Sequence, residues 1–235
     1  MVAQLEHSTG SLAATQQAIQ QATQQSKNRN TTLKLSTPLT KQQQKDAAAV
    51  LAQAFDRYPF MTYVLPDATT RVQKLTKLFF PLICSSCRHG SVTVTPDGGG
   101  VLAWVPGTVF SNRVKFLDLF RSSMLSVPLA IGPSAFNRFT VHNEVCEAAL
   151  LQHAPKDFAY IWAVGIRPDH AGKGLGSTMV RAALDEMRQQ GYSTCWLRTE
   201  TLQNVGLYEH LGFQQVHTEI PSGSGQQYWL MSQDI

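Results

Sequence analysis

Three glycines at every second position, Gly172, Gly174 and Gly176, stand between a nine-residue apolar run, Phe158 to Ile166, and a segment with helical apolar spacing. A turn without side chains exposes its backbone N–H groups, and a helix start adds unpaired donors and a partial positive charge, so this pattern suits a phosphate-bearing ligand. A dinucleotide turn would read G-x-G-x-x-G near the opening of its domain, whereas this one reads G-x-G-x-G far into the chain. The order Gly172-Lys173-Gly174 does not make a P-loop. On the residues alone, a pyrophosphate at a helix start and a tight strand-to-helix connection both stay open. Asn204 and Tyr208 are four apart, so one helical face presents both. His142, Glu144 and Glu147 lie together on a helical stretch, either as a source of a general base or as a solvated polar face, and Glu200 offers a second carboxylate at a strand end. Cys84-x-x-Cys87 lacks the second pair or histidine pair of a zinc site and, with Cys146 and Cys195, reads as free thiols in apolar surroundings of a reducing compartment.

The elements that must position these groups can be read in order. Residues 1 to 30, rich in Gln, Thr, Ser and Ala, bury little and read as a flexible tail ahead of a folded unit over 31–235. Thr31 to Ser36 alternates as a strand. Thr40 can cap a helix from Lys41 to about Phe55, stopped by Tyr58-Pro59. A second helix spans Thr70 to Arg88, with Pro81 bending or splitting it. Ser91 to Thr95 and Val101 to Val105 form a hairpin about Pro96 to Gly100. Residues 108 to 152 read as helical, with one apolar stripe at Val114, Phe116, Leu117 and Phe120 and another from Ala135 to Gln152. The run at Phe158 is a strand covered on both faces, followed by the glycine turn and a helix ended by Gly191. Tyr192 to Thr199 is a strand, Asn204 to His210 a short helix, and Phe213 to Ile220 with Gln226 to Ser232 a closing hairpin. Strands and helices that mix without strict alternation predict an α/β sheet with antiparallel hairpins and one parallel crossover.

Composition narrows the function. The chain has 235 residues, 43% of them hydrophobic, with 11 Phe and 4 Trp to fill a core. A formal charge of +4 without a basic cluster fits an anionic small ligand and argues against nucleic acid. No apolar run is long enough for a membrane span, and the first residues lack the apolar core of a signal peptide, so a cytoplasmic protein with no membrane partner is expected.

The run Val164-Gly165-Ile166-Arg167-Pro168-Asp169-His170-Ala171-Gly172-Lys173-Gly174-Leu175-Gly176-Ser177, with Asn204-x-x-x-Tyr208-Glu209-x-Leu211-Gly212-Phe213 after it, resembles the acetyl-CoA signature of the GNAT superfamily of N-acetyltransferases. Phe55-x-x-Tyr58-Pro59 and His153-x-Pro155-Lys156 are similar to the puromycin N-acetyltransferase-like group. The resemblance implies a GNAT fold over about 31–232, a mixed, mostly antiparallel central sheet flanked by helices, with a splayed cleft for acetyl-CoA. It implies that the backbone of Val164 and Ile166 pairs with the pantetheine arm, with Gly165 allowing close approach. N–H groups of Ala171, Gly172, Lys173, Gly174, Leu175, Gly176 and Ser177 would hold the pyrophosphate. Asn204 would contact the arm, and Tyr208 would stand near the sulfur. Two positions depart from the pattern: Ala171 stands where Gln or Arg is usual, and Arg198 where an acidic residue is frequent.

The expected activity is acetyl transfer from acetyl-CoA to a primary amine by direct attack, without a metal, in a monomer or homodimer. The acceptor is expected to be a small molecule, with a protein amine or a non-catalytic acetyl-CoA sensor as alternatives. A tyrosine of pKa ~10 is a competent acid toward a thiolate whose conjugate acid lies near ~8.5, which assigns Tyr208 to the leaving group. Glu147 is matched to an acidic position of the resembled group and is the expected base, ahead of Glu200 and of a water chain. Asp56, Arg57 and Tyr58 either line the acceptor pocket or form a solvent-facing helix end. Trp104 and Trp162 are expected in the core.

Overall fold

The computed structural model describes residues 38–111 and 126–235. The expected tail, the strand at Thr31 to Ser36 and the stripe from Val114 to Phe120 lie outside them. Helix α1 (Lys41–Ala54) opens on a full capping box, in which the Gln43 N–H donates to the Thr40 hydroxyl and the Thr40 N–H donates to Gln43 Oε1 at 2.8 Å. Its buried stripe is Ala47, Ala48, Leu51 and Ala52. The short α2 (Pro59–Val64) carries Pro59 in its first turn, where a missing N–H costs nothing. Helix α3 (Ala68–His89) is capped by Asp67, which accepts from the Thr69 N–H at 3.0 Å. It is continuous through Pro81 rather than split, and Pro81 is buried like its neighbours Leu78, Phe79 and Ile83, so packing outweighs the lost ladder bond.

Strands β1 (Ser91–Val94) and β2 (Gly100–Pro106) form the expected hairpin. Helices α4 (Thr108–Ser111), α5 (Val127–Ile131) and α6 (Pro133–His153) follow, then β3 (Ala159–Ile166), a single 3-10 turn at Pro168–His170, and α7 (Leu175–Gln189). The chain ends with β4 (Thr194–Thr199), α8 (Leu202–His210), β5 (Gln214–Glu219) and β6 (Tyr228–Asp234). Among the described residues the sheet order is β1-β2-β3-β4-β6-β5, and only β3 and β4 run parallel. Strand β2 alternates between two cores. Val101 and Ala103 pack with α1 and α3, while Leu102 and Trp104 pack with Met179, Val180 and Met187 of α7.

Two details shape the middle of the sheet. Ala103 faces Ala163, but Trp104 faces Ile161, so Trp162 is an extra residue on β3, a β-bulge. Pairing of β3 with β4 covers only Ala159, Ile161 and the residue between them, although β3 continues to Ile166 and β4 to Thr199. The strands therefore part at the bulge, which bends β3 and increases its twist. Gly165 lies in the parted segment. A Cβ there would come within 2.8 Å of Leu51 Cδ2 and 3.0 Å of the Ala54 Cβ, so this glycine is required by the approach of α1. The packing of α1 thus gives Gly165 a structural reason that the sequence did not show, beside the expected backbone contact with a ligand. No helix among the described residues is long and apolar enough to cross a membrane.

A residue that the sequence did not single out holds the turn between α1 and α3. Arg71 is buried, and its guanidinium donates to the carbonyls of Leu65 at 2.6 Å, Pro66 at 2.8 Å and Asp56 at 3.0 Å, with the Asp56 carboxylate at 3.5 Å. Nearby, Arg138 of α6 donates to the Val64 carbonyl at 2.7 Å. Lysine has no fork to serve three carbonyls, so Arg71→Lys is expected to cost about 2–3 kcal/mol of stability in chemical denaturation. An unchanged denaturation midpoint would show that the three bonds contribute little.

Candidate functional site

The parting of β3 from β4 opens a cavity of about 280 Å³. Val164 and Trp162 of β3, Leu197 and Arg198 of β4, Asn204 and Tyr208 of α8, and Glu147 of α6 all line it. The structure thus brings together Val164, Glu147, Asn204 and Tyr208 of the expected site. Trp104 is a core residue as expected, but Trp162, also expected in the core, is half-buried at the bulge and forms part of the wall.

Helix α8 presents Asn204 and Tyr208 because Thr201 caps it, accepting from the Asn204 N–H at 3.3 Å, and because Val205 anchors its opposite face in the core. The Tyr208 ring packs edge-on against Phe213, 5.7 Å between centroids, and its hydroxyl makes no hydrogen bond among the described residues. Burial first, then the nearby Cys195 and Glu200, pushes the phenol well above its ordinary value, so it is a proton-bearing donor across the neutral range.

The glycine turn lies apart from the cavity's lining, at the start of α7. Gly172 and Gly174 adopt φ of 77° and 72°, the left-handed region that glycine tolerates. Residues 171–174 are exposed, and Leu175, Gly176 and Ser177 are half-buried. The turn is braced at its base. The Arg167 N–H donates to the Gly99 carbonyl at 2.8 Å, and His170 Nδ1 lies 3.1 Å from Asp97 Oδ2, so the β1–β2 turn supports the segment before the glycines. Ile166 packs on α7 and does not line the cavity.

At the end of β4 lies a buried polar cluster. Arg198 Nε is 2.7 Å from Glu200 Oε1, and the Arg198 guanidinium also donates to Asn143 Oδ1 at 3.0 Å. Tyr58 donates its hydroxyl to Glu200 Oε2 at 2.7 Å and accepts from the Glu200 N–H at 2.7 Å, with Thr199 Oγ1 at 3.0 Å. His142 is fully buried, against the reading of a solvated polar face. Its Nδ1 is 2.8 Å from Ser224 Oγ, and its Nε2 is 3.5 Å from Glu200 Oε1. The helix periodicity misjudged it because the β5–β6 loop, far away in sequence, covers that position. Glu144 and Glu147 of the same helix are exposed.

Burial by itself would raise the Glu200 carboxyl, but Arg198, the neighbouring His142 and the hydrogen bond from Tyr58 hold it below the usual carboxylate range. Glu147 keeps exposed surface but faces the cavity wall, and partial desolvation there, with Glu144 nearby, shifts it the other way, upward, with partial relief from Arg198. Of the expected trio at the end of α1, only Tyr58 lines the cavity. Asp56 faces Arg71, and Arg57 is exposed. Cys84 and Cys87 are half-buried on α3, and burial pushes the Cys87 thiol up to about 11.

Residues 132–213, which span α6 to α8, match the model of the Acetyltransferase (GNAT) family. The chain is 33% identical over 61 residues to the ribosomal protein bS18-alanine N-acetyltransferase of Escherichia coli K12, covering 25% of this chain and 41% of that protein. It is 31% identical over 62 residues to the mycothiol acetyltransferase of Kocuria rhizophila, covering 26% of this chain and 20% of that one. The chain thus spans less than half the length of these relatives. Among solved structures, the polyamine N-acetyltransferase of Drosophila melanogaster superposes with a TM-score of 0.57 at 12% identity, over 86% of this chain and 99% of that one. The arylalkylamine N-acetyltransferase 2 of Aedes aegypti does so at 0.55 and 13%, over 85% and 98%. The parted six-stranded sheet flanked by helices is therefore the GNAT fold, and its segment from α6 to α8 carries the match to that acetyltransferase family.

Proposed function

We propose that the chain transfers the acetyl group of acetyl-CoA to a primary amine on a small molecule, by direct attack with both substrates bound. The observation that carries this reading is the parted β3–β4 edge, with Val164 on one side and Asn204 and Tyr208 on the other. From Trp162 to Ile166 the β4-facing edge of β3 has no strand partner among the described residues, and an extended amide-bearing arm would satisfy it as another strand would. The exposed residues Gly172 to Gly174 and the first turn of α7 offer N–H groups to a pyrophosphate. A closer kinship with the puromycin N-acetyltransferase-like group is part of the same reading and rests on the sequence likeness.

In this reading the amine nitrogen attacks the thioester carbonyl carbon, the C–S bond breaks, and the thiolate departs. An N–H of the free β3 edge polarises the carbonyl oxygen. Tyr208 lies beside the departing sulfur. Because its pKa is raised, it stabilises the thiolate by donating a hydrogen bond, and complete proton transfer to sulfur follows from solvent. Glu147 takes the proton lost by the amine. Its upward shift makes it a better proton acceptor than an ordinary carboxylate, whereas Glu200 is held in its ion pair with Arg198 and is a poor base. A second reading, a protein amine as acceptor, is favoured by the likeness to an enzyme named for the bS18 alanine. It would use the same cleft and the same proton path.

Incubation with acetyl-CoA and a panel of primary amines should release free thiol, and Tyr208→Phe should lower turnover roughly 10²-fold while acetyl-CoA binding stays within about twofold. Tight acetyl-CoA binding with no thiol release on any amine would leave a sensor instead. Gly174→Val places a branched residue at φ 72° and is expected to weaken acetyl-CoA binding about tenfold or more in calorimetry. Equal affinity would remove the pyrophosphate from that turn. The depressed Glu200 pKa also has a stability consequence. The unfolded carboxyl binds its proton more readily, so the contribution is complete above the ordinary value of ~4.3 and is lost as pH falls below it. The thermal midpoint should drop between about pH 5 and pH 3, and Glu200→Gln should flatten part of that slope. Identical slopes in both proteins would mean that Glu200 has no such linkage.

A further inference from the structure

The cavity extends beyond the acetyl-transfer cleft into a chamber whose wall is built from rings. From Tyr58 a chain of aromatic contacts runs to Phe55, 5.1 Å between centroids, and on to Phe79 at 5.2 Å. From Arg198, whose Cζ sits 5.8 Å over the Phe60 ring, a second chain runs to Phe139 at 6.0 Å. Across β3, Phe110 packs against Trp162 at 6.1 Å. All of these residues line the same cavity, and apart from Trp162 of β3 and Arg198 of β4 they come from the helical segments that precede β3.

The polar groups of this chamber are largely engaged with one another. Arg198 pairs with Glu200, Tyr58 is hydrogen-bonded to Glu200, and Asn143 accepts from Arg198 while donating to the Phe139 carbonyl at 2.7 Å. The Arg198–Glu200 pair is neutral as a unit. Glu147 is the lining carboxylate with no ion-pair or hydrogen-bond partner among the described residues. A polyhydroxylated or multiply charged acceptor would lose its hydration here and find few partners, whereas rings and one carboxylate suit a single amine on an apolar body. Desolvation by the same rings disfavours the ammonium form and so helps to deliver the neutral amine that attack requires.

We infer that the acceptor is a primary amine carried on an apolar, aromatic body, with the ring seated among Phe55, Phe60, Phe79, Phe136 and Phe139 and the amine end directed to Glu147 and the cleft. This inference rests on the acetyl-transfer reading. Its test is steady-state thiol release with 2-phenylethylamine and tryptamine against agmatine, spermidine and a peptide with a free N-terminal alanine. The aryl amines should show kcat/KM at least about tenfold higher than the others. Phe136 and Phe139 are half-buried, so polar replacements there are compatible with folding. Phe139→Asn and, separately, Phe136→Asn should raise KM for the aryl amine about fivefold or more while KM for acetyl-CoA stays unchanged, and Phe139→Leu should recover most of the loss. Preference for agmatine, spermidine or the peptide, or aryl-amine KM values unmoved by both asparagine variants, would overturn this inference alone. Failure to turn over any amine would overturn the acetyl-transfer reading, and this inference with it.

Discussion

One local irregularity governs the rest of the structure: the extra residue Trp162 in β3, opposite the step from Ala103 to Trp104 in β2. A parallel pair of strands would normally zip along its length, because each unpaired backbone group in a buried sheet costs free energy. Here the zipper stops at Ile161 and Leu197, where the bulge turns β3 away. The strand beyond it survives because its other edge is paired with β2 through Ile166 and because α1 packs closely over Gly165. The same parting creates the cavity between β3 and β4, turns Trp162 from a core residue into a wall, and leaves α8 able to present Asn204 and Tyr208 to the opening.

An opening in the middle of a sheet must be kept from collapsing, and buried charge serves that end. Arg198 and Glu200 lie on the free end of β4, and neither can be withdrawn from the other without leaving an uncompensated charge. Tyr58 ties this pair to the start of α2, Asn143 and His142 tie it to α6, and Ser224 ties His142 to the β5–β6 loop. Four segments distant in sequence are thereby held at fixed spacing around the chamber. Arg71 and Arg138 repeat the device farther out, Arg71 fixing carbonyls on either side of α2 and Arg138 the last carbonyl of α2 itself. Directional polar contacts hold a shape that apolar packing alone would tend to fill.

Much of the architecture was legible because it is written in local periodicity and punctuation. The capped helix after Thr40, the hairpin about Pro96 to Gly100, the strand–glycine–helix unit and the parallel pair all follow from spacings of two or of three to four and from where Gly and Pro fall. Asn204 and Tyr208 were legible as a pair for the same reason, since residues four apart in a helix share a face. Reading failed where a distant segment decides the environment. His142 looked like its neighbours Glu144 and Glu147, yet Ser224 and Phe60 cover it. Pro81 looked like a break, yet core packing carries the helix through it. Gly165 has a reason that no local pattern shows, since Leu51 and Ala54 occupy the space that a side chain would need. Nothing local marks Arg71 or the bulge at Trp162.

The sequence by itself determined the order of the described strands and of the helices around them, though not the short α2, together with the glycine turn and the helical face of Asn204 and Tyr208, because each depends on backbone preferences within a few residues. Only the tertiary structure decided that β3 and β4 part at Trp162, that Glu200 is bound to Arg198 while Glu147 is not, and that rings from α1, α2, α3 and α6 close over one chamber. Those outcomes depend on which segments meet across the sheet, on the desolvation that the meeting imposes, and on the balance of charge and hydrogen bonds left inside, none of which has a period along the chain.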